Sequence, residues 1–301
     1  MMQNHSDNLS PLLRIGTCSW KYDSWKGLIY DPNKTYKPND YLPDYAKHFN
    51  TVEIDQWFWS LFPTGARLPN PDTVKIYTDS VPDDFLFTVK APNSITLTHY
   101  YSKQPAKHKH VANQPNDYFL NIDLLNRFLE ILQPMEKKLG PIMFQFEYLN
   151  KQKMLSLKAF IDKLSVFFSS APKKYNYAVE IRNPNYLKKE FFEFLKERDI
   201  CPVLIEGYYM PHIGELADKF DLASGRALII RLMGPDRKEI EKLTGEQWDR
   251  VAAPKDKELD SITEIVKSQI ERGRNVVVNV NNHYEGCAVM TIERVMERLV
   301  G

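Results

Sequence analysis

The chain has 301 residues, 43% hydrophobic and 26% charged, an ordinary globular balance with enough length for a large core. A formal net charge of +1 supplies no global field to recruit nucleic acid or a membrane surface, so anion binding has to be local. Cys18, Cys201 and Cys287 are scattered, without CxxC or Cys/His spacing, which excludes a disulfide framework and a zinc cluster, and no apolar run reaches transmembrane length.

The N-terminal "MMQNHSDNLSPLL" lacks the basic start and apolar centre of a signal peptide. Residues 1–12 therefore read as a short disordered lead-in, and residues 13–301 as a single domain of a cytoplasmic protein. Eight strand-like runs follow, at 13–20, 51–56, 85–92, 141–147, 177–182, 201–207, 227–234 and 275–282. Amphipathic helices lie between most of them. In 121–140, Leu125, Phe128, Leu129, Leu132 and Leu139 share a face, Pro134 is expected to kink the helix, and Gly140 to close it. The stretch 260–273 ends on Gly273 as a C-cap, and 286–301 repeats Val289, Ile292, Val295, Met296 and Leu299 with a period near 3.6. Eight strands alternating with helices predict an α/β fold, a TIM-like (β/α)8 barrel. A doubly wound open sheet is the other candidate, but no GxGxxG follows the first strand. The polar, proline-bearing connection 91–119 is long for a compact domain, which predicts that it is either functional or disordered.

The barrel predicts that each strand has one apolar face under the helices and one face turned inward, polar toward its C-terminal end. Seven strands are read this way. Val52 and Ile54 oppose Glu53 and Asp55; Phe85, Phe87 and Val89 oppose Thr88 and Lys90. Ile142, Phe144 and Phe146 oppose Gln145 and Glu147; Val179 and Ile181 oppose Glu180 and Arg182. Val203 and Ile205 oppose Glu206; Leu228, Ile230 and Leu232 oppose Arg231; Val276, Val278 and Val280 oppose Asn279 and Asn281. The expected result is a polar floor at the barrel mouth, made of Glu53, Lys90, Glu180, Arg182, Glu206 and Arg231, with Gln145, Asn279 and Asn281 as neutral partners. The alternative is a structural ion-pair network that plugs the barrel.

Several blocks also resemble a known family, the domain-of-unknown-function family 72 or YecE-like proteins. They are "IGTCSWKYDSWKGLIYDP", "YLPDYAKHFNTVEID", "FLFTVKAPNSITLTH", "LGPIMFQF", "AVEIRNPNY" and "NVVVNVNNHYEGCAVMTI", in that order across residues 14 to about 295. The resemblance implies a TIM-like barrel with no established reaction, and motif positions at Glu53, Lys90, His99, Gln145, Glu180, Arg182, Asn281 and Asn282. The chain departs from the pattern at Ser19, where glycine is usual, in "DQWFWSLFP", and at Phe146–Glu147, which replaces Leu-Pro.

The chemistry expected of this floor is an enzyme acting on a small anionic ligand, a phosphoester or sugar. Glu53, Glu180 and Lys90 are the candidate catalytic groups. Gln145, Arg182, Glu206, Arg231, Asn281, Asn282, His99, Trp20 and Tyr22 are the candidate binding groups. Nothing in the sequence singles out Lys90 as a Schiff-base lysine. A rival reading is nucleic-acid binding through Lys103, Lys107, Lys109, His108 and His110, with Tyr100, Tyr101, Trp20, Tyr22, Trp25, Trp57 and Trp59 as stacking rings. A non-catalytic binding protein is a third. After the last strand, Asn281, Asn282 and Gly286 lead into the final helix, where barrels often present backbone N–H groups to a phosphate. No cofactor is expected. No metal is expected either, because Lys90 and Arg182 would repel a cation from Glu53, Glu180, Glu206, His99 or His283, and no HExxH spacing is present.

Overall fold

A computed structural model describes residues 10–301. The predicted lead-in falls mostly on residues 1–9, outside the described residues; Ser10 to Leu12 form a turn, closed by the Leu13 N–H donating to the Ser10 carbonyl at 2.9 Å. Eight parallel strands form a closed barrel. They are β1 (Leu13–Thr17), β2 (Thr51–Ile54), β3 (Leu86–Lys90), β4 (Leu139–Gln145), β5 (Tyr177–Glu180), β6 (Cys201–Gly207), β7 (Ala227–Gly234) and β8 (Asn275–Val280). Each lies within or beside its predicted run. Neighbours in sequence are neighbours in space, and β1 closes the ring against both β8 and β2, as parallel strands joined by crossover helices require.

The α-helices of five residues or more are α1 (Tyr41–Tyr45), α2 (Pro71–Asp79), α3 (Ile122–Ile131), α4 (Leu157–Ser170), α5 (Lys189–Glu197), α6 (Ile213–Lys219), α7 (Arg237–Thr244), α8 (Asp256–Glu271) and α9 (Ala288–Val300). Side-chain caps start several of them. Asn121 accepts from the Leu124 N–H at 2.8 Å, and Ser156 from the Ala159 N–H at 3.1 Å, each satisfying an N–H that the helix cannot. The predicted helix 121–140 is shorter than expected. The α-helix stops at Ile131, and Gln133–Lys138, which carries Pro134, is a 3-10 turn. Leu139 and Gly140 are the first residues of β4, not the end of a helix. Proline removed an N–H and ended the ladder rather than kinking it.

The outward faces of the strands bury Val52, Ile54, Phe87, Val89, Ile142, Phe144, Val179, Leu228, Ile230, Val276 and Val278 beneath the helices. Phe144 meets Phe167 and Phe168 of α4 edge-on at 5.5 and 5.3 Å, contacts worth about 0.5–1.5 kcal/mol each beyond area burial. Inside the barrel, Met143, Ala178, Cys201, Val203, Ala227, Ile229 and Val277 form an apolar plug. A polar layer stands above the plug, and above that a small apolar group of Cys18, Ile205 and Met233.

Strand β6 corrects the predicted facing. Its register sets Ile205 beside Arg231 and Glu206 beside Leu232, so Val203 and Ile205 point inward and Glu206 lies on the face turned to the helices. "CPVLIEG" is apolar at Val203, Leu204 and Ile205 alike, so it has no alternation to fix its facing; the charge at Glu206 was a misleading guide. At the end of this strand the register shifts, and Gly207 (φ +130°) lies against Gly234 (φ +79°). A Cβ on Gly207 would sit 2.4 Å from the Gly234 carbonyl oxygen, so only glycine fits. This close approach aims Tyr208 at the barrel mouth.

Candidate functional site at the barrel mouth

Arg231 on β7 is the hub of the polar layer, and only 2% of it is exposed. Its Nε and Nη2 donate to the two carboxylate oxygens of Glu53 on β2, at 2.8 and 2.7 Å. Its Nη1 donates to Glu180 on β5 at 2.6 Å and to Gln145 Oε1 on β4 at 3.3 Å. The other Glu180 oxygen accepts from Arg182 Nε at 2.8 Å, and Arg182 Nη2 reaches the same Gln145 oxygen at 3.5 Å. Asn279 on β8 donates to Glu53 at 3.3 Å and to the Thr88 hydroxyl on β3 at 3.1 Å. Six of the eight strands thus contribute to one network, and bidentate pairing satisfies the buried guanidinium as desolvation requires.

Two carboxylates and two guanidinium groups cancel within this floor. Burial pushes the Glu180 carboxyl up, but the charges of Arg182, Arg231 and Lys90 outweigh it and hold the group at about 2. It is a fixed anion at any ordinary pH. Glu53 has both oxygens committed to Arg231. Both carboxylates expected to be catalytic are thus engaged by guanidinium groups in this arrangement.

Lys90 and Asp55 differ from the groups beneath them. Lys90, at the end of β3, is 8% exposed. Its ammonium lies over the Phe58 ring at 3.9 Å, and among the described residues no hydrogen-bond acceptor or carboxylate pairs with it. Burial, then the Arg231 charge, pushes its pKa down, against the pull of Glu53, Glu180 and Asp55. The pairing of Ile54 with Val89 brings Asp55 alongside Lys90 at the mouth. Burial and the Glu53 charge push Asp55 up to about 6, against Lys90 and Arg231. Tyr22 is pushed up to about 12 by burial and then by Asp55 and Cys18, so its hydroxyl stays protonated. Burial likewise keeps the Cys18 thiol neutral, which removes it as a nucleophile.

The structure thus gathers Glu53, Gln145, Glu180, Arg182 and Arg231 into direct contact and places Lys90 above them. Other predicted residues sit elsewhere. Glu206 faces α6, with one oxygen 2.6 Å from His212 Nδ1 and the other accepting the Ile213 N–H at 3.0 Å, so it is not part of the floor. Asn281 accepts the His283 backbone N–H at 2.9 Å in a local turn, and Asn282 accepts the Ala288 N–H at 2.8 Å at the start of α9. His99 pairs with the Thr98 hydroxyl at 2.9 Å. Trp20 is a core ring, edge-on to Tyr77 at 5.1 Å. Trp25 and Trp57 are buried too and offer no face to a base, whereas Trp59 is 63% exposed and lies 6.2 Å from Tyr101. Lys103, Lys107 and Lys109 are exposed on the loop after β3.

Sequence reasoning placed Asp55 on the inward face but passed over it as a site residue. The signal was there, since it shares the Glu53 face and lies one residue beyond the Ile54–Val89 pair. Tyr208, whose ring stacks on the Arg182 guanidinium at 4.6 Å, carried no such signal. Among the described residues no group of three His, Cys, Asp or Glu side chains is arranged to hold a metal ion, and no helix is long and apolar enough to cross a membrane.

Fold and site together define a closed parallel (β/α)8 barrel protein with an ion-paired interior floor and, at its mouth, a lysine and an aspartate on neighbouring strands that no salt bridge joins among the described residues. Residues 14–301 match the family described as "Protein of unknown function DUF72", and the chain belongs to that family. It is similar to "UPF0759 protein YecE" of Escherichia coli strain K12, and equally to that of strain O157:H7. Each is 26% identical over 179 residues, 59% of this chain and 51% of the relative. The match thus spans about half the length of these curated relatives. The fold is shared with a DUF72 family protein from Thermotoga maritima MSB8 (TM-score 0.66, 21% identity, 96% of this chain and 99% of that one). It is shared also with one from Enterococcus faecalis V583 (TM-score 0.65, 19% identity, 96% of both chains).

Proposed function

We propose that this protein is an enzyme that binds a small anionic ligand at the barrel mouth and moves protons with Lys90 and Asp55. The observation that carries the reading is Lys90, only 8% exposed, whose ammonium lies over the Phe58 ring at 3.9 Å and has no hydrogen-bonding partner among the described residues. A charge so largely withdrawn from water, and left without a partner, carries a desolvation cost that a bound anion would offset. The floor beneath is electrically balanced by its own pairs, so Lys90 is the surplus positive charge whenever Asp55 is protonated. Arg182 adds a second anchor, because among the described residues its Nη1 has no acceptor. A phosphate or carboxylate is the kind of group that two such cations would hold.

Asp55 and Lys90 have their proton affinities pushed toward neutrality from opposite sides, as a proton donor and acceptor working near pH 7 require. The acid/base role passes from the predicted Glu53 and Glu180 to Asp55 and Lys90, and the two glutamates hold Arg231 and the strand ends in place. Thermal unfolding with inorganic phosphate, a sugar phosphate and small carboxylates, at matched ionic strength, tests the reading. At least one anion is expected to raise the wild-type Tm by several degrees, since ligand at about 100 times its Kd adds about 2.7 kcal/mol. Lys90→Met is expected to lose most of that rise. A rise that survives in the variant, or no rise with any anion, overturns the proposal.

A further inference from the structure

We propose that Lys90 condenses with the carbonyl carbon of a small keto or aldehyde compound carrying a phosphate or carboxylate, forming an imine at the barrel mouth with Asp55 as the proton donor. The inference rests on the anion-binding reading above and names its substrate class. It stands first on geometry. Lys90 is held at the C-terminal end of β3 against the flat face of Phe58, without a salt bridge that would fix its proton. Its neighbour across the strand pair is a carboxyl group that no other residue's side chain engages among the described residues. The fixed carboxylates of the floor are already spoken for by Arg231 and Arg182, so neither competes for the Lys90 nitrogen. An amine becomes a nucleophile only when it loses its proton, and burial beside Arg231 favours that loss.

The step balances without any further reagent. The lone pair of the neutral Lys90 amine forms a C–N bond with the carbonyl carbon, and the C=O π pair moves to oxygen. A proton passes from nitrogen to that oxygen to give a carbinolamine. Asp55, still holding its proton at about pH 6, gives it to the carbinolamine hydroxyl, which leaves as water while the nitrogen lone pair closes the C=N bond. One neutral amine, one carbonyl and one carboxylic acid become one iminium cation, one water and one carboxylate. The new cation then sits beside the Asp55 carboxylate it created. The phosphate or carboxylate of the substrate is held by Arg182, stacked on Tyr208 and with its Nη1 unengaged.

The test traps the imine in the full chain. The protein is incubated with pyruvate or dihydroxyacetone phosphate and cyanoborohydride, digested, and the lysine adducts are mapped by mass spectrometry. Reduction is expected to mark Lys90 at least ten-fold more than the exposed Lys103, Lys107 and Lys109, with inorganic phosphate protecting it. Lys90→Arg, which keeps the charge without the reactive amine, is expected to abolish the adduct while retaining most of the phosphate-induced rise in Tm. Asp55→Asn is expected to slow trapping by at least about ten-fold, the low end of what a positioned acid contributes. If phosphate raises Tm in a Lys90-dependent way but adducts are absent from Lys90 or spread evenly over surface lysines, the imine is wrong and anion binding stands. If neither is seen, both readings fail.

Discussion

Asp55 is the residue whose protonation most directly separates function from stability. Its ordinary carboxyl pKa of 3.8 rises to about 6 in the folded chain, through burial and then the Glu53 charge. The folded state therefore binds the proton more tightly than the unfolded state. That contribution is complete below about pH 4 and is lost as pH rises through 6, so ionised Asp55 destabilises the protein at neutral pH. Asp55→Asn removes this penalty. Urea unfolding is expected to show the variant more stable by about 2 kcal/mol at pH 7.5 and matched to wild type near pH 4. An equal difference at both pH values would show that Asp55 is not held in this environment. Gain of stability with loss of proton transfer is the pattern expected where a site keeps a group in an unfavourable setting.

Among the elements, the seam between β1 and β2 is the thinnest part of the barrel. Its register includes one aligned pair, Thr17 with Val52. Gly16 lies so close to the β2 backbone that a Cβ there would sit 2.0 Å from the Thr51 carbonyl oxygen. Tyr45, the last residue of α1, bridges the seam: its buried hydroxyl accepts the Thr17 N–H at 2.9 Å and donates to the Thr51 carbonyl at 3.0 Å. Tyr45→Phe leaves both backbone groups without this bond in a dry place. The expected cost is about 1–3 kcal/mol, read from the urea midpoint at unchanged m-value. Because Glu53 and Asp55 follow directly on Thr51, the same variant is expected to weaken anion binding at the mouth. The helix is thus part of the site's foundation although none of its side chains reaches the floor network.

At the scale of the whole molecule, the floor is a cross-brace. Arg231 and Glu53 are 178 residues apart in the chain, and Arg231 and Glu180 are 51 apart, yet all three meet inside the barrel. Arg231→Met leaves two buried carboxylates without their shared counter-ion. It is expected to cost about 3–5 kcal/mol, measured by denaturant unfolding. Neutralising the carboxylates in the same chain, as E53Q/E180Q/R231M, is expected to recover much of that loss. Failure to recover it would mean that packing, not charge balance, governs the floor. Both outcomes bear on function, since the brace fixes the spacing between the β2–β3 corner, where Asp55 and Lys90 stand, and Arg182 across the mouth.

The sequence by itself determined the eight strands, their order and the inward face of six of the seven strands examined. In those six, the polar residues near the C-terminal end lie on one parity and that parity is the inward one, a local property that a few residues display. It failed at β6, where the one charged residue, Glu206, lies on the outward face, and at Leu139–Gly140, where a helical face continued by chance into a strand. Only the tertiary structure decided which charges neutralise one another. Pairing depends on register and on contacts across the barrel, and residue type alone placed Glu53, Glu180, Lys90 and Arg231 on one polar floor without saying which would pair. In space, both glutamates are spent on Arg231 and Arg182, while Lys90 and the overlooked Asp55 are left unpaired among the described residues. The role proposed for them rests on burial and missing partners, and a linear chain of letters records neither.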